Sequence, residues 1–211
     1  LSTQEVTLFA GSISASSGTT NGIGSIAKFW GPSDVAISFD GSFALITDNI
    51  NNLIRKIILS TAEVTLVAGQ FVLTGGLTNG VGSHAKFADP HGIVISSDGS
   101  YSLIADYLNN QIRKIILSTQ EVTLFAGQTT YGSTNGIGSS AQFDLPNGVA
   151  MSSDDSYALV ADYGNNQVRK IIISTQEVSL FAGGPSRIYG SANGEGTNAQ
   201  FNYPSGIAIS S

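Results

Sequence analysis

The phrase LSTQEVTLFAG at Leu1–Gly11 returns as LSTAEVTLVAG at Leu59–Gly69, as LSTQEVTLFAG at Leu117–Gly127 and as ISTQEVSLFAG at Ile173–Gly183. The spacings (59 − 1, 117 − 59 and 173 − 117) are 58, 58 and 56 residues. A fixed period of this length marks an array of one supersecondary unit, each copy stacking on the next to bury what it cannot bury alone. It also divides the chain into positions that the repeats keep, which carry the scaffold, and positions that they vary.

Between two copies of the phrase, the unit Phe87–Gly127 reads as four short strands. Pro90 and Gly92 mark an opening turn, followed by the β-branched run Ile93-Val-Ile-Ser. Ser97-Asp98-Gly99-Ser100 is a hairpin turn in which Asp-Gly supplies positive φ. Tyr101-Ser-Leu-Ile-Ala is the second strand, Asp106–Asn110 the second turn, Gln111–Leu117 the third strand, Ser118–Glu121 the third turn and Val122–Ala126 the fourth strand. Ile112, Ile115 and Ile116 place apolar side chains on both faces, so both faces need cover. Four-stranded antiparallel sheets stacked face to face around an axis provide it, and the expected fold is an all-β β-propeller. A β-solenoid needs shorter coils without hairpin turns and fits less well.

The expected organisation is one array over 1–211. It has complete blades at 29–69, 87–127 and 143–183, an outer strand of a preceding blade at 1–11 and the first strand of a further blade at 201–211. These terminal pieces lack the middle strands of a blade. They suggest a segment of a longer polypeptide with about six blades, or copies that complete one another. The connections keep Asn-Gly-x-Gly at Asn21–Gly24, Asn79–Gly82, Asn135–Gly138 and Asn193–Gly196. A phosphate-cradling loop would lead into a helix, and none is expected here, so the motif reads as a tight turn.

The recurring pattern F-x-x-P-x-G-[IV]-x-[IVM]-S-S-D-x-S-Y-x-L-[IV]-A-D-Y-x-N-N-Q-[IV]-R-K-I, in full at Phe87–Ile115 and Phe143–Ile171, resembles the NHL-repeat β-propellers. A looser copy runs over Phe29–Ile57 and a truncated one over Phe201–Ser211. Leu53, Gln111 and Gln167 stand where such repeats often carry Arg, and Asp34 replaces the Gly of Gly92, Gly148 and Gly206. The resemblance implies a scaffold. Members of the family mostly bind proteins, some bind RNA or glycans, and a minority of related propellers are lyases or hydrolases with metal at the central channel.

Composition narrows these classes. The formal net charge of −6 works against nucleic-acid or anionic-membrane surfaces. No run approaches the roughly 18 apolar residues of a membrane span. The absence of cysteine excludes disulfides, thiolate metal sites and a Cys nucleophile. The Ser/Thr/Asn-rich, charge-poor composition leans towards an extracellular or cell-surface setting.

Recognition is expected on the face carrying the long connections and the Asp-x-x-Asn turns, where the repeats differ. Trp30, Ala88, Asp144 and Asn202 precede the first strand, followed by Gly31, Asp89, Leu145 and Tyr203. After the proline stand Ser33, His91, Asn147 and Ser205, and after the second strand's Asp stand Asn49, Tyr107 and Tyr163. The candidate binding set is Trp30, Ser33, Asn49, Asp89, His91, Tyr107, Asp144, Asn147, Tyr163 and Tyr203. Its tyrosines and tryptophan offer platforms for apolar side chains or sugar rings.

Asp48, Asp106 and Asp162 recur once per unit. A carboxylate ring for a cation is one reading, and caps of the Asp-x-x-Asn turns the favoured one. Arg55-Lys56, Arg113-Lys114 and Arg169-Lys170 hold six of the nine basic residues, with Glu63, Glu121 and Glu177 as expected partners. His91, in Pro-His-Gly beside the channel, could serve as ligand or base, but no further His is suitably placed and no G-x-S-x-G motif is present. The resulting expectation is a non-enzymatic scaffold, without cofactor or catalytic metal, that binds a protein partner or assembles with further blades. Glycan binding is the first alternative and a channel-centred metal-dependent lyase or hydrolase the second.

Overall fold

The computed structural model describes residues 5–12, 14 and 16–210. It contains three antiparallel sheets, each built like a propeller blade and each five-stranded rather than four-stranded. In the middle blade, Pro90–Ile95, Tyr101–Asp106, Gln111–Ile116 and Glu121–Gly127 form the expected meander. The fifth strand is the two-residue Gly80–Val81, paired outside Glu121–Val122. Gly22–Ile23 and Gly136–Ile137 do the same in the other blades. Each extra strand is the Asn-Gly-x-Gly connection itself. It crosses to the outer edge of its own blade before a three-residue 3-10 turn returns it to the first strand. An edge that a hairpin meander would leave open is thereby shortened.

The terminal strands expected at 1–11 and 201–211 are not formed among the described residues 5–11 and 201–210. Residues 1–4 and Ser211 lie outside the described set. Among the described residues neither stretch is paired with another strand. Gly11 still donates to Gly24 O at 3.1 Å, as Gly69 does to Gly82 O, so this stretch meets the connection as an outer strand does.

The glycine ending the repeated phrase has a specific cause. Gly69 lies at φ +105°, and a Cβ there would come within 2.5 Å of Asn52 O. Gly127 and Gly183 are held against Asn110 O and Asn166 O in the same way.

The apolar core lies between blades. Leu45, Ile54 and Val67 of the first blade pack with Phe87, Ile93 and Ile104 of the second. Leu103, Ile112 and Phe125 of the second pack with Phe143, Val149 and Val160 of the third. Val35, Ile37 and Phe39 on the outer side of the first blade remain 57%, 62% and 89% exposed.

Inside each blade a buried ion pair locks the polar groups. Asp48, Asp106 and Asp162 pair with Arg55, Arg113 and Arg169 at 3.0, 2.9 and 3.1 Å, with all six side chains fully buried. The favoured reading, in which these aspartates cap their own turns through backbone hydrogen bonds, does not hold: among the described residues no turn amide donates to them, and the turn reaches each carboxylate only through its asparagine side chain. Asp106 Oδ2 accepts from Asn109 Nδ2 of its turn at 2.8 Å and from Arg113, while Oδ1 accepts from the Ala88 amide at 2.8 Å. The expected Glu partners are wrong. Glu63, Glu121 and Glu177 are exposed, whereas each Arg points inward and reaches back to the connection. Arg113 donates to Lys86 O at 3.2 Å, Thr78 O at 3.4 Å and Asn79 Oδ1 at 2.6 Å. The Asn of Asn-Gly-x-Gly is therefore an arginine acceptor, and the motif's second Gly supplies a left-handed turn, at φ +55° in Gly82. The lysines lie instead over Phe43, Tyr101 and Tyr157 at 4.2, 4.1 and 4.4 Å.

Truncating one partner of such a pair strands the other charge, so Arg113→Met is expected to destabilise the protein by about 3–5 kcal/mol in denaturant titration. Asp106→Leu combined with Arg113→Met should recover much of that loss, whereas additive losses would show that the pair is not the unit of stability.

Two sets of aspartates titrate in opposite senses. Asp40, Asp98 and Asp154 accept hydrogen bonds from turn serines and are lowered to about 2. Their stabilisation is present above the ordinary value of 3.8 and lost as pH falls through about 2. Burial pushes Asp106 and Asp162 up to about 6 against the pull of their Arg and Asn partners. Stability from these two is greatest below 3.8 and is lost as pH rises through about 6. The thermal midpoint is expected to peak between these windows and fall on both sides. Replacing all three turn aspartates with Asn should flatten only the acid side; an unchanged acid side would refute the assignment.

Candidate functional site

The face carrying the connections and the Asp-x-x-Asn turns is built on fixed backbone. In each unit the second Asn of the Asn-Asn pair, Asn52, Asn110 or Asn166, is left-handed at φ 56–57° and clamps the next repeat. Asn52 Oδ1 accepts from the Asp89 amide at 2.7 Å, Asn110 Oδ1 from Leu145 at 2.9 Å and Asn166 Oδ1 from Tyr203 at 2.8 Å. Those three acceptances set the backbone of the varied position before each proline, itself left-handed at φ 53–56°.

On this frame four varied side chains form one row. His91 stacks on Tyr107 with centroids 4.4 Å apart, Tyr107 meets Tyr163 edge to face at 6.1 Å, and Tyr163 stacks on Tyr203 at 4.7 Å. The row crosses from the second blade to the stretch after the third. Asn147 Nδ2 lies 3.0 Å from His91 Nδ1, and Asp89 Oδ2 lies 3.4 Å from His91 Nε2. Burial, with the charges of Asp89 and Asp144 nearby, raises the Tyr107 hydroxyl above its ordinary value. The Tyr107 hydroxyl is therefore kept neutral beside the two carboxylates.

Asp144 joins the face through a residue that the sequence reading passed over. Arg187, from the connection after the third blade, donates to Asp144 Oδ2 through Nε at 3.0 Å and Nη2 at 2.7 Å. Its guanidinium lies 4.2 Å from the centre of the Tyr131 ring. Arg187 is the only arginine outside the Arg-Lys pairs, which was the available signal.

Three candidates stand apart from the row. Ser33 donates to Pro90 O and His91 O at 3.2 and 3.3 Å and so links the first two blades. It borders a central cavity of about 300 Å³ shared with His91, Asn147 and Ser205. Asn49 is buried, with its carbonyl accepting from Asn52 at 2.9 Å. Trp30 lies at the first blade beside Leu8 and Phe29, away from the tyrosines. The Asp48, Asp106 and Asp162 carboxylates are consumed by their Arg, Asn and amide donors. Among the described residues no three His, Cys, Asp or Glu side chains converge as a metal-holding group.

No protein-family model matches the chain. It is a distant homologue of NHL repeat-containing protein 2. Identity is 27% over 165 residues with the cattle protein, covering 74% of this chain and 22% of that one. With the human protein it is 28%, covering 73% and 22%. The chain thus spans about a fifth of the curated relatives that it matches. Solved structures share the propeller-type fold. An auxiliary nutrient binding protein from Bacteroides ovatus superposes with a TM-score of 0.68 at 21% identity, over 86% of this chain and 44% of that one. A chain of a nidogen/laminin complex superposes at 0.57 and 14%, over 85% and 52%.

The Asn147 amide can only donate to His91, which makes Nδ1 the acceptor and leaves the proton on Nε2, facing Asp89. Long-range ¹H–¹⁵N spectra of the neutral ring are expected to show the Nε2–H tautomer, shifting towards a mixture in Asn147→Ala. A dominant Nδ1–H form in the parent protein would overturn this arrangement.

Proposed function

We propose that the chain is a non-enzymatic binding module whose loop face docks a protein partner through the row His91–Tyr107–Tyr163–Tyr203, within a larger extracellular or surface protein. The row itself carries the reading. Its rings are braced by one another, so little side-chain freedom is lost on binding, and rigid tyrosines contribute large contact area at low entropic cost. All four occupy positions that the repeats vary on a backbone that the repeats hold.

The same geometry favours a protein over a glycan. Sugar rings stack on free aromatic faces. Here His91 covers one face of Tyr107, Tyr203 covers one face of Tyr163, and the edge-to-face contact between the two central rings uses a further face. The central rings thus keep fewer free faces for a sugar, and their hydroxyls with the flanking carboxylates suit hydrogen bonding to a polypeptide. The non-enzymatic part of the proposal is supported by the occupation of the polar groups. The repeated aspartates neutralise arginines, and both His91 nitrogens face Asn147 and Asp89. The fold decides none of this by itself, since one fold hosts unrelated activities.

The uncovered apolar side of the first blade, with Val35, Ile37 and Phe39, supports assembly with further blades, from a longer polypeptide or another copy.

The test is recovery of partners from extracellular protein fractions, followed by titration of the recovered partner. Tyr107→Ala and Tyr163→Ala are each expected to weaken binding tenfold or more, the loss of a central anchor of about 1.4 kcal/mol or above. Lys114→Ala, whose side chain lies over Tyr101, should bind as the parent does. Unchanged affinity in both tyrosine variants would reject the row. Binding on a glycan array with no protein partner recovered would favour the glycan alternative.

A further inference from the structure

Beside the tyrosine row, the turn of the first blade, the connection around Leu73–Gly75 and the stretch Ala88–Asp89 enclose a groove of about 150 Å³. Its walls are Ile50, Leu73 and Leu108, which are 43%, 75% and 57% exposed. Gly75 lies flat on its floor, where a Cβ would come within 2.6 Å of the Ala88 Cβ. Asp89 also lines the groove. Its side chain is 30% exposed, and among the described residues its polar contact is His91 Nε2 at 3.4 Å, a long one. The backbone beneath is fixed, because Asp89 is left-handed at φ 56° and its amide is held by Asn52.

Three aliphatic walls with one under-used carboxylate match a side chain that is apolar along its stem and cationic at its tip. The volume suits one such side chain. Arginine fits better than lysine because a planar guanidinium can engage both carboxylate oxygens and is more weakly hydrated. An arginine–aspartate contact is already made elsewhere on this face, where Arg187 of the connection after the third blade lies on Asp144 and over Tyr131. Asp144 follows Phe143 directly, whereas Asp89 stands one place further along its own repeat and has no arginine beside it in the sequence. The net charge of −6 adds a favourable field for a basic segment.

We propose that the groove between Ile50, Leu73 and Leu108 receives an arginine side chain of the partner protein, with its stem on those residues and its guanidinium on Asp89. The assignment rests on the protein-binding reading of the loop face and names the chemistry of the partner segment.

The test is an NMR titration of the protein with the peptide acetyl-Gly-Arg-Gly-amide and with its citrulline counterpart, which keeps the stem and removes the charge. The arginine peptide is expected to shift the Leu73 and Leu108 methyl and Asp89 amide resonances with a millimolar Kd, and the citrulline peptide to bind at least tenfold more weakly. Asp89→Asn should reduce the arginine peptide to the citrulline level. That variant keeps the fold because Asn also adopts the left-handed conformation, and an unchanged thermal midpoint checks this. Equal responses to the two peptides, no response at millimolar arginine peptide, or a response indifferent to Asp89→Asn would each overturn the proposal. Tyr163→Ala should leave the peptide response intact. Partner binding without a peptide response therefore rejects the groove alone, and a peptide response with partner binding indifferent to the tyrosine variants rejects the row alone.

Discussion

Each repeat is organised around one buried ion pair, Asp48–Arg55 and its two copies. A charge pair withdrawn from water is costly unless nearly every donor and acceptor finds a partner. Here the aspartate accepts from a main-chain amide, a turn asparagine and the arginine, and four of the five arginine donors are placed within reach of acceptors. The Nε groups of Arg55, Arg113 and Arg169 are left without a partner, as is Oδ1 of the turn asparagine Asn51. The pair thereby joins four stretches distant in sequence: the lead into the first strand, the second turn, the third strand and the preceding connection. An apolar core alone would leave those stretches free to slide. The phenylalanine ring near each guanidinium, at 5.2 to 5.5 Å, covers the charge from the apolar side.

The interblade packing follows from this. Once a blade is locked internally, its two apolar faces are set, and stacking needs only matching side chains and a polar register mark. The second Asn of each turn supplies the mark, reaching across to a main-chain amide of the next repeat. Because these contacts repeat, blades can follow one another with the same offset, while the varied side chains above them change freely.

The period and the meander could be read from residues alone, because each is a local pattern repeated three times; the aspartates' partners could not, since their backbone donor lies 18 residues upstream and not in the turn. Nor could the arginine partner. Arg and Glu on adjoining strands suggested a cross-strand pair, but a strand's alternation does not say which face is buried, and here the arginine side is. The fifth strand escaped because two residues carry no periodic signal. The interblade Asn clamp was visible only as an unexplained Asn-Asn in every unit. Arg187 was visible only as the one arginine without an adjoining lysine. The expected loop-face residues divide for a similar reason. Position on a turn is readable, but whether a side chain turns outward, as in Tyr107, or inward, as in Asn49, depends on a neighbouring repeat.

The scaffold network and the proposed recognition surface meet at single peptide units. Tyr107 follows Asp106 directly, and Tyr163 follows Asp162, so the ring positions inherit the rigidity of the buried carboxylates. The amides of Asp89 and Tyr203 are the groups that Asn52 and Asn166 clamp. Side chains at these four positions can therefore change without removing any hydrogen bond that holds the fold, since the bonds run through neighbouring side chains or through the main chain. That separation explains how strictly kept and freely varied residues can be sequence neighbours. It also means that a change in binding specificity here need not carry a stability cost, whereas a change at the aspartate one residue earlier must.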